Sequence, residues 1–235
     1  MVNYIYLIFC FILYLQITTT TVIHIYPGGL HGFYMMGICK YIKQNYNLQD
    51  YHYYGASAGS WNSVFLCYNK NDEEFIQGIS NLIIDNRQKN IHQLELKIKD
   101  FLITNYDSSD FDLHKLHISV GEIQKPPIQI KKKIYENFDS LENVTNCCIA
   151  SSHLPFISGK IGYKYNNHYC LDGGIFLNPF LKSNNNNNTL SISPFMWKHK
   201  KKYKNNLKKL NIEESILNGY EDAKQNKEYL DSYLL

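Results

Sequence analysis

The stretch that most constrains the fold is Tyr53-Tyr54-Gly55-Ala56-Ser57-Ala58-Gly59-Ser60, an aromatic run that ends in Gly-x-Ser-x-Gly before a helix-like segment. A strand with this ending turns sharply into a helix, because small residues on both sides of the serine allow a strained backbone. The turn places the serine hydroxyl beside a helix N-terminus, where N–H groups and the helix dipole favour negative charge. The pattern indicates a nucleophile, Ser57; the alternative for the pattern alone is a glycine-rich turn.

The size and composition of the chain fit one folded domain. A chain of 235 residues is long enough to bury a substantial core but short for two domains. Its 44% hydrophobic and 14% aromatic content and its net charge of +3 are typical of a globular protein. They indicate neither a nucleic-acid partner nor disorder, so we expect a single domain over residues 21–235.

Residues 1–20 differ from this domain and form a hydrophobic leader. The part from Val2 to Ile17 is uncharged and nearly all apolar, and a run of threonines follows. It is shorter than the roughly 20 residues that cross a bilayer, and close to the length of a signal-peptide core. Three interpretations of this segment remain: a signal peptide, a membrane anchor, or a buried element of the domain. We expect a membrane-associated or secretory location, because the rest of the chain has the elements of a complete domain.

A glycine-rich loop follows the first predicted strand. Val22 to Tyr26 has the β-branched and aromatic content of a buried strand, and Phe33 to Ile42 has the spacing of a helix. The loop between them, Pro27-Gly28-Gly29-Leu30-His31-Gly32, directs several backbone N–H groups to one place and favours an anion there. Its glycine spacing is wrong for a dinucleotide site. The other possibility is an oxyanion hole, which requires a serine nucleophile such as Ser57.

The remaining motifs extend this pattern. Leu171-Asp172-Gly173-Gly174 supplies an Asp-Gly-Gly motif, with Asn178-Pro179 after it and Ala150-Ser151-Ser152-His153-Leu154-Pro155 upstream. With the glycine loop and the serine motif, these stretches occur in the order found in the patatin-like phospholipase family, which the chain resembles from about Val22 to Gln225. A last stretch, Gly219-Tyr220-Glu221-Asp222-Ala223, resembles the closing helix of the animal triglyceride-lipase branch.

The resemblance implies a fold and an activity. The fold is an α/β, three-layer patatin-like fold with a mainly parallel central sheet flanked by helices. The activity is hydrolysis of a carboxylic ester in a phospholipid or acylglycerol at a membrane surface, with neither a metal nor another cofactor. Ser57 and Asp172 are the implied catalytic dyad, and the implied oxyanion hole is Gly28, Gly29 and Leu30. Residues that support the motifs are His31, Gly32, Gly55, Gly59, Gly173 and Gly174.

Two positions depart from the family pattern. Pro27 replaces the usual first glycine and has no N–H to donate, and His31 replaces the usual arginine or lysine. These changes motivate an alternative function: a catalytically impaired protein that binds lipid or a partner.

A conventional catalytic triad is a further alternative. Its order in an α/β-hydrolase is serine, acid and then histidine, and only His199, in a lysine run, follows Asp172. His153 and His168 precede Asp172 and are interpreted as ordinary loop or surface residues.

Further elements are predicted between and after the motifs. Asp72 to Arg87 and Ile91 to Tyr106 have helical apolar stripes, Leu116 to Val120 and Pro127 to Ile130 are typical of strands, and Thr189 to Ser193 predicts the last strand. The residues Asp110, Asp112 and His114 offer donor atoms for a metal, but no nearby residue completes a site, so we interpret them as a charged helix start.

Overall fold

The computed structural model describes residues 21–84, 91–124, 128–159, 161–176, 189–197 and 211–235. The leader over residues 1–20, Asn178-Pro179 and the lysine run with His199 lie outside these ranges, as does the end of the helix predicted to reach Arg87. The division of the chain into a leader and one domain therefore stays a prediction.

Helices and strands occur along the whole described chain. The helices are α1 (Gly32–Asn45), α2 (Ala58–Cys67), α3 (Asp72–Ile84), α4 (Ile91–Asn105), α5 (Leu141–Ser151), α6 (Ile212–Gln225) and α7 (Lys227–Leu234). The strands are β1 (Thr21–Ile25), β2 (Tyr51–Ala56), β3 (Leu116–Gln124), β4 (Gln129–Tyr135), β5 (Tyr163–Tyr165), β6 (His168–Leu171) and β7 (Thr189–Ile192).

The described strands form one sheet in the order β5-β6-β3-β2-β1-β7, and β4 also pairs with β3. The strands β7, β1, β2 and β3 run parallel to one another. The other pairings, β4 and β6 with β3 and β5 with β6, are antiparallel. The predicted α/β fold with a central sheet flanked by helices is confirmed. The parallel part of the sheet consists of four strands and includes β2, which ends directly before Ser57.

Strand β3 is long enough to pair with two strands along the same edge. β2 pairs with its first half, where Ala56 lies opposite Ser119, and β6 pairs with its second half, where Leu171 lies opposite Gly121. Because β4 pairs with residues 118–124 and overlaps both, β2 and β6 must share the other edge. They run in opposite directions, so their carboxyl ends meet at Val120.

Helices α1 and α6 pack unusually close together. A Cβ atom on Gly37 of α1 would lie 1.9 Å from the carbonyl oxygen of Ile216, and one on Gly219 of α6 would lie 1.9 Å from that of Tyr34. Only glycine allows this approach. The Tyr34 hydroxyl also donates a hydrogen bond of 2.8 Å to Asp222 of α6. The stretch Gly219–Ala223 is thereby fixed against the helix that follows the glycine loop.

The predicted membrane-associated or secretory location requires correction. The longest described helix, α4, has 15 residues, whereas about 20 are needed to cross a bilayer. Within the described ranges no helix combines the length and the apolar character of a membrane span. The segment on which the prediction was based, residues 1–20, lies outside those ranges.

Candidate active site

Ser57 lies at a sharp turn between β2, which ends at Ala56, and α2, which begins at Ala58. Its backbone has φ 54° and ψ −129°, a conformation that non-glycine residues rarely adopt. The flanking glycines have no room for a side chain: a Cβ on Gly55 would lie 2.5 Å from the Cα of Ser60, and one on Gly59 would lie 2.1 Å from the carbonyl oxygen of Ile25. The two glycines let α2 start directly against β1 and β2, with Ser57 at the bend.

A second serine fixes the strained turn to the sheet. The Ser57 N–H donates to the hydroxyl of Ser151 at 2.9 Å, and that hydroxyl donates to the carbonyl oxygen of Ser119 at 2.7 Å. Ser151 is fully buried at the end of α5. It therefore links three elements: the turn, β3 and α5. Sequence analysis missed this role, although Ser151 lies in the Ala-Ser motif that preceded Asp172.

Asp172 follows β6 and contacts Ser57 directly. The Ser57 hydroxyl donates to Asp172 Oδ2 at 2.8 Å, and the N–H of Gly174 donates to Oδ1 at 2.6 Å. The carboxyl group is only 5% exposed, and its burial raises its pKa, while the hydrogen bonds from Ser57 and Gly174 act in the opposite direction. A buried carboxylate that already accepts a hydrogen bond from a hydroxyl is placed to accept its proton.

Gly173 fixes the approach of Asp172 to the sheet. A Cβ on Gly173 would lie 2.1 Å from the carbonyl oxygen of Ser119, the same oxygen that accepts the hydrogen bond from Ser151. Ser119 of β3 therefore helps to position both Ser57 and Asp172.

The glycine loop approaches Ser57 through Gly29 and Leu30, which line the same cavity as Ser57 and Asp172. They begin a short 3-10 helix, Gly29–His31, and the first N–H groups of a helix have no partner within it. Gly28 has a different environment: a Cβ there would lie 2.5 Å from the Met35 side chain. The carbonyl oxygen of Gly28 accepts hydrogen bonds from the N–H and the ring Nδ1 of His31. Gly28 and His31 thus shape the turn.

Pro27 packs on the loop that follows Asp172. A Cβ on Gly174 would lie 2.5 Å from Cγ of Pro27, so glycine at position 174 makes room for the proline ring. The unusual proline is accommodated next to the residue whose N–H contacts Asp172. His31 is also packed, with its ring centroid 5.7 Å from that of Phe195.

Asn62 joins the glycine loop to the helix after Ser57. Its side-chain amide donates to the carbonyl oxygens of Gly32 at 3.1 Å and Ala58 at 3.0 Å. Because Asn62 is almost fully buried, this bridge holds the loop at a fixed distance from Ser57. The sequence analysis did not identify it; the available signal was an amide side chain shortly after the nucleophile, in a helix whose other polar residues are the small Ser60 and Ser63.

An apolar cavity of about 100 Å³ opens beside Ser57. Its walls come from α1 to α4 and include Phe33, Met36, Phe75, Ile79, Leu94 and Ile98. Glu95 of α4 also lines it and is only 4% exposed. Burial raises the pKa of Glu95 to about 7. Sequence analysis missed this acid, although it falls within the apolar stripe of α4.

The histidines considered for a catalytic triad and the residues considered for a metal site have other roles or positions. His153 contacts Asp172 through its backbone, since its carbonyl oxygen accepts from the Asp172 N–H at 2.8 Å. His168 is exposed at the start of β6, and His199 lies outside the described ranges. Asp110 forms an ion pair with Lys70 and Asp112 with Lys115. In the described part of the chain, no cluster of three or more His, Cys, Asp or Glu side chains is arranged to hold a metal.

Comparison with curated proteins finds no similar sequence. A family model described as patatin-like phospholipase matches residues 28–183, which is more than half of the 235 residues. The match includes the glycine loop from Gly28, the turn at Ser57 and the Asp172 motif. The chain belongs to the patatin-like phospholipase family.

Proposed function

We propose that this protein hydrolyses carboxylic esters of lipids through Ser57 and Asp172. Membership of the patatin-like family supports lipid acyl hydrolysis in general. The observation that carries the specific proposal is the hydrogen bond of 2.8 Å from the Ser57 hydroxyl to Asp172, beside an apolar cavity.

The first half of the reaction forms an acyl-enzyme. The Ser57 oxygen attacks the ester carbonyl carbon as its proton passes to Asp172. The N–H groups of Gly29 and Leu30 stabilise the negative charge that develops on the carbonyl oxygen. Cleavage of the carbon–oxygen bond releases the alcohol, which takes the proton from Asp172.

The second half regenerates the enzyme. Asp172 removes a proton from water, and the resulting nucleophile attacks the acyl carbon. The bond to Ser57 then breaks, Ser57 regains its proton, and the fatty acid leaves. Because burial raises the pKa of Asp172, this carboxylate is a stronger base than an exposed aspartate.

The substrate is a lipid with a long acyl chain, presented by a lipid surface. The apolar walls of the cavity are suited to a hydrocarbon chain. The resemblance of Gly219–Ala223 to the triglyceride-lipase branch favours an acylglycerol over a phospholipid.

A fluorophosphonate probe tests the proposal, because it labels an activated serine covalently. Wild type should be labelled at Ser57 and should hydrolyse acylglycerols, and Ser57→Ala should do neither. Ser63→Ala is the matched control, since it removes a buried hydroxyl from α2, the helix that follows Ser57. Within the described residues, this hydroxyl donates to the carbonyl oxygen of Gly59 in the same helix. Lipid binding by the wild type without labelling or hydrolysis would support the alternative of a catalytically impaired binding protein.

A further inference from the structure

Helix α4 presents one acid within an apolar face. Ile91, Leu94, Ile98 and Leu102 line the cavity beside Ser57, and Glu95 lies among them. At 4% exposure, Glu95 is as buried as the core residues around it. A carboxyl group in such a place is costly unless it is hydrogen-bonded.

One oxygen of this carboxyl group is unsatisfied. Glu95 Oε2 is buried and has no hydrogen-bond partner among the residues that the structure describes. His92 Nδ1 lies 3.8 Å from Oε2, within ion-pair distance but beyond hydrogen-bonding distance, and it too is buried without a hydrogen-bond partner in the described residues. An acceptor or donor left unpaired in a buried site destabilises the protein unless a bound group satisfies it.

A second polar group in the cavity lies near Glu95. Ser152 lines the cavity and its side chain interacts with that of Glu95, and the Trp61 indole donates to the Ser152 hydroxyl at 3.2 Å. The Ser152 hydroxyl in turn donates to the carbonyl oxygen of Cys148 at 2.9 Å. These bonds fix the Ser152 oxygen in place. The wall that faces the acyl chain is therefore not uniformly apolar.

The charges around Glu95 restrict what can bind there. The Asp172 carboxylate is close enough to disfavour ionisation of Glu95, so a phosphate or another anion would be repelled from both acids. A hydroxyl group meets no such repulsion. It donates to a carboxylate and accepts from a carboxylic acid, so it fits either protonation state of Glu95.

On the basis of the ester hydrolysis proposed above, we propose that Glu95 and Ser152 form a subsite for an uncharged hydroxyl group of the lipid substrate. The hydroxyl belongs either to an oxygenated acyl chain or to a partly acylated glycerol. In both cases the enzyme prefers hydroxyl-bearing esters over fully apolar ones. Glu95 then determines specificity, while Ser57 and Asp172 perform the reaction.

Two matched substrate pairs test the subsite and separate the two sources of the hydroxyl. Methyl hydroxystearates are compared with methyl stearate, and 1-monopalmitoylglycerol is compared with propyl palmitate. We expect wild type to favour the hydroxylated member of one pair about tenfold in kcat/KM, as one buried hydrogen bond would provide. The pair that shows the preference identifies the source.

Substitutions assign the preference to Glu95. Glu95→Leu should reduce the ratio of kcat/KM values to about one, whereas Glu95→Gln, which keeps a donor and an acceptor, should retain most of it. Ile98→Leu changes the same cavity face without a polar group and should keep the wild-type ratio. Equal kcat/KM values within both pairs for the wild type, or an unchanged ratio in Glu95→Leu, would overturn the subsite.

A binding measurement separates this inference from the proposed hydrolysis. In a Ser57→Ala background, displacement of a fluorescent lipid reports the same ester pairs without turnover. A preference that Glu95→Leu removes supports the subsite even if no ester is hydrolysed, which would refute only the hydrolase. Hydrolysis with Ser57 labelling but no hydroxyl preference would refute only the subsite.

Discussion

The cavity beside Ser57 has a buried acid on each of two walls, and the two acids differ in their hydrogen bonds. Asp172, after β6, is 5% exposed, and Glu95, on α4, is 4% exposed. Both oxygens of Asp172 accept hydrogen bonds, from Ser57 and Gly174, whereas Oε2 of Glu95 lies 3.8 Å from His92 Nδ1 and accepts no hydrogen bond from the described residues. The two acids are therefore almost equally buried but differ in their hydrogen bonds. Their hydrogen-bond partners, and not their exposure, distinguish the role of each acid.

Burial raises the pKa of both acids. Hydrogen bonds from Ser57 and Gly174 oppose the shift in Asp172, and His92 and Ser152 oppose it in Glu95. For Glu95 the pKa reaches about 7. Glu95 is therefore a carboxylic acid over much of the acidic pH range, whereas the proposed mechanism uses Asp172 as a base.

The largest effect should come from removing the base or the nucleophile. Ser57→Ala, Asp172→Asn and the double variant should each lose about 10³-fold or more in kcat, and to a similar residual level, because the two groups act as a unit. Steady-state hydrolysis of an acylglycerol measures this. Glu95→Gln is the comparison variant, since it alters the other wall. If Glu95→Gln lost as much activity as Asp172→Asn, the assignment of base and acid would be wrong.

The second effect is on stability and depends on pH. The pKa of Glu95 is about 7 in the folded protein against 4.5 for an ordinary glutamate, so the folded state holds a proton that the unfolded chain releases. Stability should fall as pH rises from about 4.5 to about 7 and stay lowered above it, by about 3 kcal/mol in total. Glu95→Gln has no such proton and should gain about that much relative to wild type at pH 8, and little at pH 4.5.

Urea unfolding at the two pH values measures this difference. Glu142→Gln serves as the control, because the Glu142 side chain is 66% exposed and its replacement should change stability little at either pH. A pH-independent effect of Glu95→Gln would show that the pKa of Glu95 is not raised in the folded protein, and the contrast between the walls would disappear.

A smaller loss should follow from Ser151→Ala. The substitution leaves the buried N–H of Ser57 and the carbonyl oxygen of Ser119 without their shared partner, at a cost of about 1–3 kcal/mol in unfolding free energy. Ser63→Ala removes a hydroxyl that bonds only within its own helix and should cost less. Equal losses in the two variants would mean that Ser151 does not fix the turn at Ser57.

The smallest effect should come from the histidines. His168→Ala and His199→Ala should change kcat by less than about threefold, because the proposed proton transfer uses no imidazole. His153→Gln changes a buried side chain but keeps the backbone carbonyl that contacts Asp172, and its activity should exceed that of Asp172→Asn by a wide margin. A histidine as indispensable as Ser57 would require a catalytic triad.

The parts of the fold that sequence analysis predicted are those set by local patterns. The glycines around Ser57 and the apolar run before it specify the turn from β2 to α2, and the stripe from Ile91 specifies α4. The strand predicted at Leu116 to Val120 continues to Gln124 as β3. That extension matters, because its second half provides the pairing for β6.

The remaining features depend on contacts between distant segments. β6 has only four residues, too few for a recognisable alternation, and its antiparallel position on β3 has no local signal. The orphan oxygen of Glu95 and the bridges made by Ser151 and Asn62 arise only when separate elements pack together. The stripe of α4 identified a buried helix face, but it did not show that the face borders Ser57.

The meeting of β2 and β6 on one edge of β3 has a consequence during synthesis. Ser57 and its turn lie in the first third of the chain, whereas Asp172 is added about 115 residues later. A nascent or truncated chain that stops before β6 contains the serine but no carboxylate beside it. Under the proposed mechanism, competence for hydrolysis therefore begins only when β6 has docked on the sheet.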